Sequence, residues 1–191
     1  MPFNIPILLT WSRIFMIPVF IGIFYLPDAT ISLHHKHLFG SVLFAFAAVT
    51  DWLDGYLARS LNQTSAFGAF LDPVADKLMV AAALIVLVNM AYVGALVAFI
   101  IIGREIAISA LREWMAQLGS SKSIAVSMLG KIKTSFQMIA ILLLLYHEPI
   151  WGLPVHEAGT LLIYIAALLT LWSMAYYLML AMPQIRKKTR E

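Results

Sequence analysis

Unbroken apolar runs dominate this chain, each close to the roughly 20 residues a helix needs to cross the hydrocarbon core of a bilayer. There are six, at 6–26, 38–59, 67–90, 92–115, 129–146 and 157–181. They are apolar on all sides, which points to helices rather than to barrel strands, whose faces alternate. Composition agrees: of 191 residues, 62% are hydrophobic and 12% charged, roughly half the charge of an average soluble domain. That leaves too little polar surface for a water-soluble particle, and the same hydrophobicity excludes a disordered chain. The absence of Cys excludes disulfides, thiolate nucleophiles and thiolate metal sites. The expectation is an all-α integral membrane protein with six transmembrane helices, forming one domain over 1–191, with no internal repeat or low-complexity tract.

Lys and Arg in the short connections set the orientation. One side collects Arg59, Arg112, Lys122, Lys131, Lys133, Arg186, Lys187, Lys188 and Arg190; the other holds only Lys36. Both termini are therefore expected in the cytoplasm. Residues 1–6 lack the basic segment of a signal peptide and no cleavage site follows the first run, so that run is expected to remain in place. The tail 186–190 reads as a positive-inside stop. His34, His35 and His37, beside Lys36, read as a polar outer loop rather than a metal site. A net charge of +3 is small, and no nucleic-acid partner is expected.

Against this background four acids are out of place. Asp51 and Asp54 lie near the inner end of the second run, Asp72 and Asp76 near the inner start of the third. Counted back from Arg59, Asp51 is eight residues deep, or about 12 Å at about 1.5 Å per residue. A lone carboxylate there is costly, so intramembrane acids mark a site. The pairs are spaced i,i+3 and i,i+4, and each pair shares one helix face. A short link between the runs predicts antiparallel neighbours that bring all four acids to one height. Four carboxylates cannot all stay ionised in a low-dielectric pocket without cations. Mg²⁺ or Mn²⁺ suits an all-oxygen ligand set and keeps positions open for phosphate, and two such ions would form the clamp used in phosphoryl displacement. Gly55, Ala58 and Gly68 leave room for a close backbone or a planar base, although small residues also serve ordinary helix packing. Arg59 can pair with a phosphate or an acid. Pro73, after Asp72, is expected near its helix start, where a missing N–H is tolerated.

As a string these residues are Asp51-x2-Asp54-Gly55-x2-Ala58-Arg59-x8-Gly68-x3-Asp72-x3-Asp76. The pattern resembles the signature of the CDP-alcohol phosphotransferases, a family that also has six spans and cytoplasmic termini. The resemblance implies that Asp51, Asp54, Asp72 and Asp76 hold two divalent cations and that Asp76 deprotonates the acceptor hydroxyl. It implies that Asp54, Gly55, Ala58, Arg59 and Gly68 shape the CDP site, and it suggests a homodimer. Further segments resemble the bacterial phosphatidylglycerophosphate synthase branch: Ile5-Pro6, Leu9-Thr10, Arg13, Pro18, Gly103-Arg104-Glu105, 109–114 and 130–134. The outer loops 27–37 and 147–156 are the least similar parts. That branch implies transfer of the phosphatidyl group of CDP-diacylglycerol to sn-glycerol 3-phosphate, giving phosphatidylglycerol phosphate and CMP. It also implies a multi-pass protein of the bacterial inner (cytoplasmic) membrane, in contact with its lipid, with the active site facing the cytoplasm.

An anionic acceptor needs basic partners. Arg104 lies eight residues inside Arg112, about 12 Å deeper on an unbroken helix, where a guanidinium is expensive unless paired. Pairing with Glu105 or a motif Asp is the alternative to a phosphate-binding role. Arg112, Lys131 and Lys133 sit nearer the inner surface, where positive-inside charge is the alternative. The resemblance favours acceptor-phosphate binding for all four. Arg13 is a possible nucleotide or lipid-phosphate contact, or a snorkelling side chain. Three rivals remain: a divalent-cation transporter, a catalytically silent helix bundle, and a same-family transferase using inositol phosphate or serine. Intramembrane acids suit the transporter, but the small residues between them and the adjacent basic set do not.

Overall fold

The computed structural model describes the backbone of residues 5–60, 66–117, 128–150 and 152–188. It is built from helices α1 (Ile5–Tyr25), α2 (Leu33–Ser60), α3 (Ala66–Asn89), α4 (Ala95–Gln117), α5 (Met128–Tyr146) and α6 (Val155–Lys188). Each apolar run is met by one helix. Two stretches, 7–25 and 155–179, are long and apolar enough by themselves to cross a membrane, and 133–146 is a shorter apolar stretch. The motif acids on α2 and α3 and the Arg104–Glu105 pair on α4 dilute the others. Lys122 and Arg190 lie outside the described residues, as does most of the links 60–66 and 116–128.

Two expectations about local structure change. The polar outer loop is shorter than expected, because His34, His35, Lys36 and His37 form the first turns of α2. Their polar atoms have partners there: Lys36 Nζ donates to Leu26 O and to Asp28, both at 2.6 Å. His35 Nδ1 lies 2.7 Å from Ser32 Oγ, and His37 is buried. Pro73 sits inside α3 rather than at its start, a placement membrane helices tolerate when neighbours satisfy the freed carbonyl.

The packing departs from the expected α2–α3 neighbourhood. α1 lies extensively against both α2 and α3, which touch each other far less. Consecutive helices pair by default, but here the first is wedged between the second and third and faces the acids of both. α5 packs along α6 and α2, and α4 along α6. One apolar core joins the helices away from the acids, around Phe20, Phe44, Leu84, Ile101, Ile141 and Ile163. Close approaches hold it together: a Cβ on Gly40 would collide with the Phe24 ring, and one on Gly159 would lie 2.9 Å from Leu144 Cγ.

The burial pattern is inverted relative to a water-soluble bundle. Arg13, Asp54, Arg104, Lys133, Gln137 and Ser173 are buried, while Phe15, Trp52, Phe70, Phe99, Leu168 and Trp172 are exposed. At the end of the bundle away from the acids, rings from four segments interlock. His37 Nε2 is 3.0 Å from the Tyr92 hydroxyl, Tyr92 stacks on His147 with centroids 3.9 Å apart, and His147 lies 4.4 Å from His156. His147 adopts a left-handed backbone with φ of 61°, and His34 Nδ1 reaches Glu148 at 2.5 Å.

Candidate active site

The acids face α1, and α1 answers them. Arg13 donates from NH1 to Asp51 Oδ1 at 2.7 Å and from NH2 to Asp54 Oδ2 at 2.5 Å. Its side chain is 1% exposed and that of Asp54 2%, whereas Asp51 is 44% exposed. The Thr10 hydroxyl, one turn earlier, donates to Asp72 Oδ1 at 2.5 Å. Arg13 therefore neither snorkels nor stands free for a nucleotide in this arrangement: it pairs with both acids of α2, its one charge offsetting one of their two. A buried carboxylate at this depth requires such a partner. Asp76 lies within electrostatic range of Asp51, Arg13, Glu105 and Lys77.

Among the described residues, no group of three or more Asp, Glu or His side chains stands close enough together to hold a metal ion. Arg13 and Thr10 take up one oxygen each of Asp51, Asp54 and Asp72. The donor set nonetheless fits a hard cation in kind: carboxylate oxygens in closely spaced pairs, with Asp51 and Asp72 only partly covered. The remaining signature residues follow on the same helices. Gly55, Ala58 and Arg59 lie on the last turns of α2, with side chains outside the described residues, and buried Gly68 lies on the first turn of α3.

Beyond Asp76, α3 and α4 enclose a cavity of about 570 Å³ lined by Asp76, Lys77, Arg104, Glu105, Ser109 and Arg112, among others. Asp76 thus shares one space with two of the expected phosphate-binding residues. Arg104 is held from α6: NH2 donates to Ser173 Oγ at 3.0 Å, and NH1 lies 3.3 Å from Glu105 Oε1. Arg104 and Arg112 both approach the ring of Tyr177, at 5.9 and 5.8 Å from its centroid, a contact that favours cations over an aromatic face. Lys133 is fully buried on α5 and donates to Glu105 Oε1 at 2.6 Å. It stands behind the cavity wall rather than in it. The side chain of Lys131 lies outside the described residues.

Sequence reasoning passed over Lys77, Ser109 and Tyr177 and treated Glu105 only as a neutralising partner. Lys77 was findable, because an ammonium deep in an apolar run is as costly as the Arg104 guanidinium. It lies on the cavity wall and hydrogen-bonds Ser109. Nothing in the sequence distinguishes Tyr177 from the other aromatics of α6.

The acids on α2 and α3 thus adjoin a cavity whose wall carries three cations, Lys77, Arg104 and Arg112, and three carboxylates, Asp76, Glu105 and Glu113. A sequence profile described as CDP-alcohol phosphatidyltransferase matches residues 3–172, and the chain belongs to that family. Among its relatives are proteins named CDP-diacylglycerol–glycerol-3-phosphate 3-phosphatidyltransferase. Those of Salmonella typhimurium (strain LT2) and Escherichia coli (strain K12) are each 52% identical over 181 residues, covering 93% of this chain and 94% of theirs. The protein of that name from Salmonella choleraesuis is 51% identical over the same span.

Proposed function

We propose that this chain transfers the phosphatidyl group of CDP-diacylglycerol to sn-glycerol 3-phosphate, forming phosphatidylglycerol phosphate and releasing CMP. The observation that carries this reading at the level of the site is the cavity in which Asp76 shares a wall with Arg104 and Arg112. A base and two anion-binding groups around one space suit an acceptor bearing both a hydroxyl and a phosphate.

In this reading the acceptor phosphate is bound by Arg104, Arg112, Lys131 and Lys133, the last acting from behind Glu105. The acceptor 1-hydroxyl attacks the β-phosphorus of CDP-diacylglycerol, its proton passes to Asp76, and the bond to the CMP oxygen breaks. A carboxylate is a weak base toward an alkanol, so the proton moves late in the transition state. Asp51, Asp54, Asp72 and Asp76 are the residues that would hold two divalent cations, Mg²⁺ or Mn²⁺. Bound there, these ions would supply Lewis-acid charge neutralisation at the pyrophosphate. Arg13 would compete with such cations for Asp51 and Asp54. Asp54, Gly55, Ala58, Arg59 and Gly68 shape the cytidine diphosphate end.

The exposed aromatic and aliphatic exterior supports a setting in lipid. We read the six helices as six spans of one domain, with both termini cytoplasmic, in the bacterial cytoplasmic membrane, the acids at the cytoplasmic side and a homodimer as the assembly. The test is CMP release from CDP-diacylglycerol by purified protein in detergent with Mg²⁺. Release that requires both the metal and sn-glycerol 3-phosphate is expected. Release with inositol phosphate or serine instead would keep the family and overturn the acceptor. Asp-dependent metal flux into vesicles without CMP release would favour a transporter.

A further inference from the structure

A carboxylate is an odd wall for a cavity that binds a phosphate, and Glu105 is such a wall. Its charge is already answered on one oxygen: Oε1 accepts from Lys133 Nζ at 2.6 Å and lies 3.3 Å from Arg104 NH1. Among the described residues Oε2 has no hydrogen-bond partner, while the side chain is 26% exposed and lines the cavity with Asp76, Arg104 and Arg112. A carboxylate whose charge is balanced from behind no longer strongly repels an anion. It still offers lone pairs that only a donor can use.

Resting on the acceptor reading above, we propose that Glu105 is a specificity-determining residue that accepts a hydrogen bond from the second, non-reacting hydroxyl of a polyol phosphate. The three polar groups of glycerol phosphate then divide among the groups of one cavity. The phosphate meets Arg104 and Arg112, the attacking hydroxyl meets Asp76, and the remaining hydroxyl meets Glu105 Oε2. Lys133 is a positioning residue that acts through Glu105 by fixing its other oxygen. A phosphate monoester with a single hydroxyl leaves this carboxylate oxygen unmatched once the site is closed to water, and a site built to pair a hydroxyl discriminates against the analogue lacking it.

The experiment compares sn-glycerol 3-phosphate with 3-hydroxypropyl phosphate, which keeps the phosphate and the attacking hydroxyl and lacks the second one. CMP release is measured for the wild type and for Glu105→Gln. The wild type is expected to prefer glycerol phosphate in kcat/KM by about tenfold to a hundredfold, the range of a hydrogen bond to a charged group. In Glu105→Gln that preference is expected to shrink by about tenfold, because only a neutral hydrogen bond remains. Equal use of both acceptors by the wild type overturns the proposal without any variant. It is also overturned if Glu105→Gln slows both acceptors by the same factor, which marks a purely structural role. Wild-type silence with both acceptors removes the acceptor reading itself, and this inference with it.

Discussion

Arg104 shows how much of this site depends on where a single charge is anchored. Its guanidinium is tied to Ser173 on α6, shares Glu105 with Lys133, and lies near the Tyr177 ring. The pairing with Glu105 that the sequence offered as an alternative to phosphate binding does occur, yet Arg104 still lines the cavity beside Asp76. The two roles are compatible, because a guanidinium carries five donors and these contacts use only some of them. Arg104→Ala is therefore expected to raise KM for glycerol phosphate by about tenfold or more, the loss of one charge-assisted contact. KM for CDP-diacylglycerol should stay near its wild-type value. Steady-state kinetics with each substrate varied in turn checks this, and an unchanged acceptor KM would take Arg104 out of that site.

Helices α5 and α6 make the most extensive pairing in the bundle, and Gly159 sets how near they come. A Cβ there would meet Leu144 Cγ at 2.9 Å and Leu143 Cβ at 3.2 Å, atoms near the partner backbone that cannot swing away. Gly159→Ile is expected to lower stability by about 1–3 kcal/mol, the usual cost of overpacking, read as a lower melting temperature in detergent. The existence and rough bounds of all six helices were legible as apolar runs, because each run is about 20 residues long and apolar on all sides. The start of α2 was not, since His34 and Lys36 look like loop until their partners Glu148, Leu26 and Asp28 are known. The spacing of the acids gave the face each pair shares. It could not reveal that α1 fills the groove between α2 and α3, because adjacency among helices leaves no periodic trace along the chain. Arg13 and Thr10 were consequently visible as residues but not as partners of the acids.

Across the whole molecule the polar groups gather at two ends around an apolar middle. At the end away from the acids, His37, Tyr92, His147 and His156 join α2, the α3–α4 link, the end of α5 and the start of α6. Burial, then the neighbouring His156, holds the His147 imidazole below its usual pKa of 6.5. These outweigh the nearby Glu148 and Glu157. The folded state thus binds fewer protons than the unfolded chain just below that value. The stability this imidazole contributes is present above about pH 6.5 and lost as pH falls through its lowered folded-state value. The melting temperature is expected to drop between about pH 7.5 and about pH 5.5. The drop should be smaller in His147→Asn, which tolerates the left-handed backbone and does not titrate. An equal drop in the variant would place the acid sensitivity elsewhere.

The Arg13 fork between Asp51 and Asp54 has a consequence for the life of the protein before it meets any substrate. A cluster of buried acids that depended on imported ions for charge balance would leave every newly made copy unfinished until metal arrived. Here the chain carries one counter-charge of its own on its first helix, paired with both acids of α2. Stripping divalent ions with a chelator is expected to silence turnover while leaving the melting temperature nearly unchanged, and adding Mg²⁺ back should restore activity without refolding. In Arg13→Ala that independence should vanish: breaking the buried pair costs about 3–5 kcal/mol, and the variant's melting temperature should rise with the concentration of added cation.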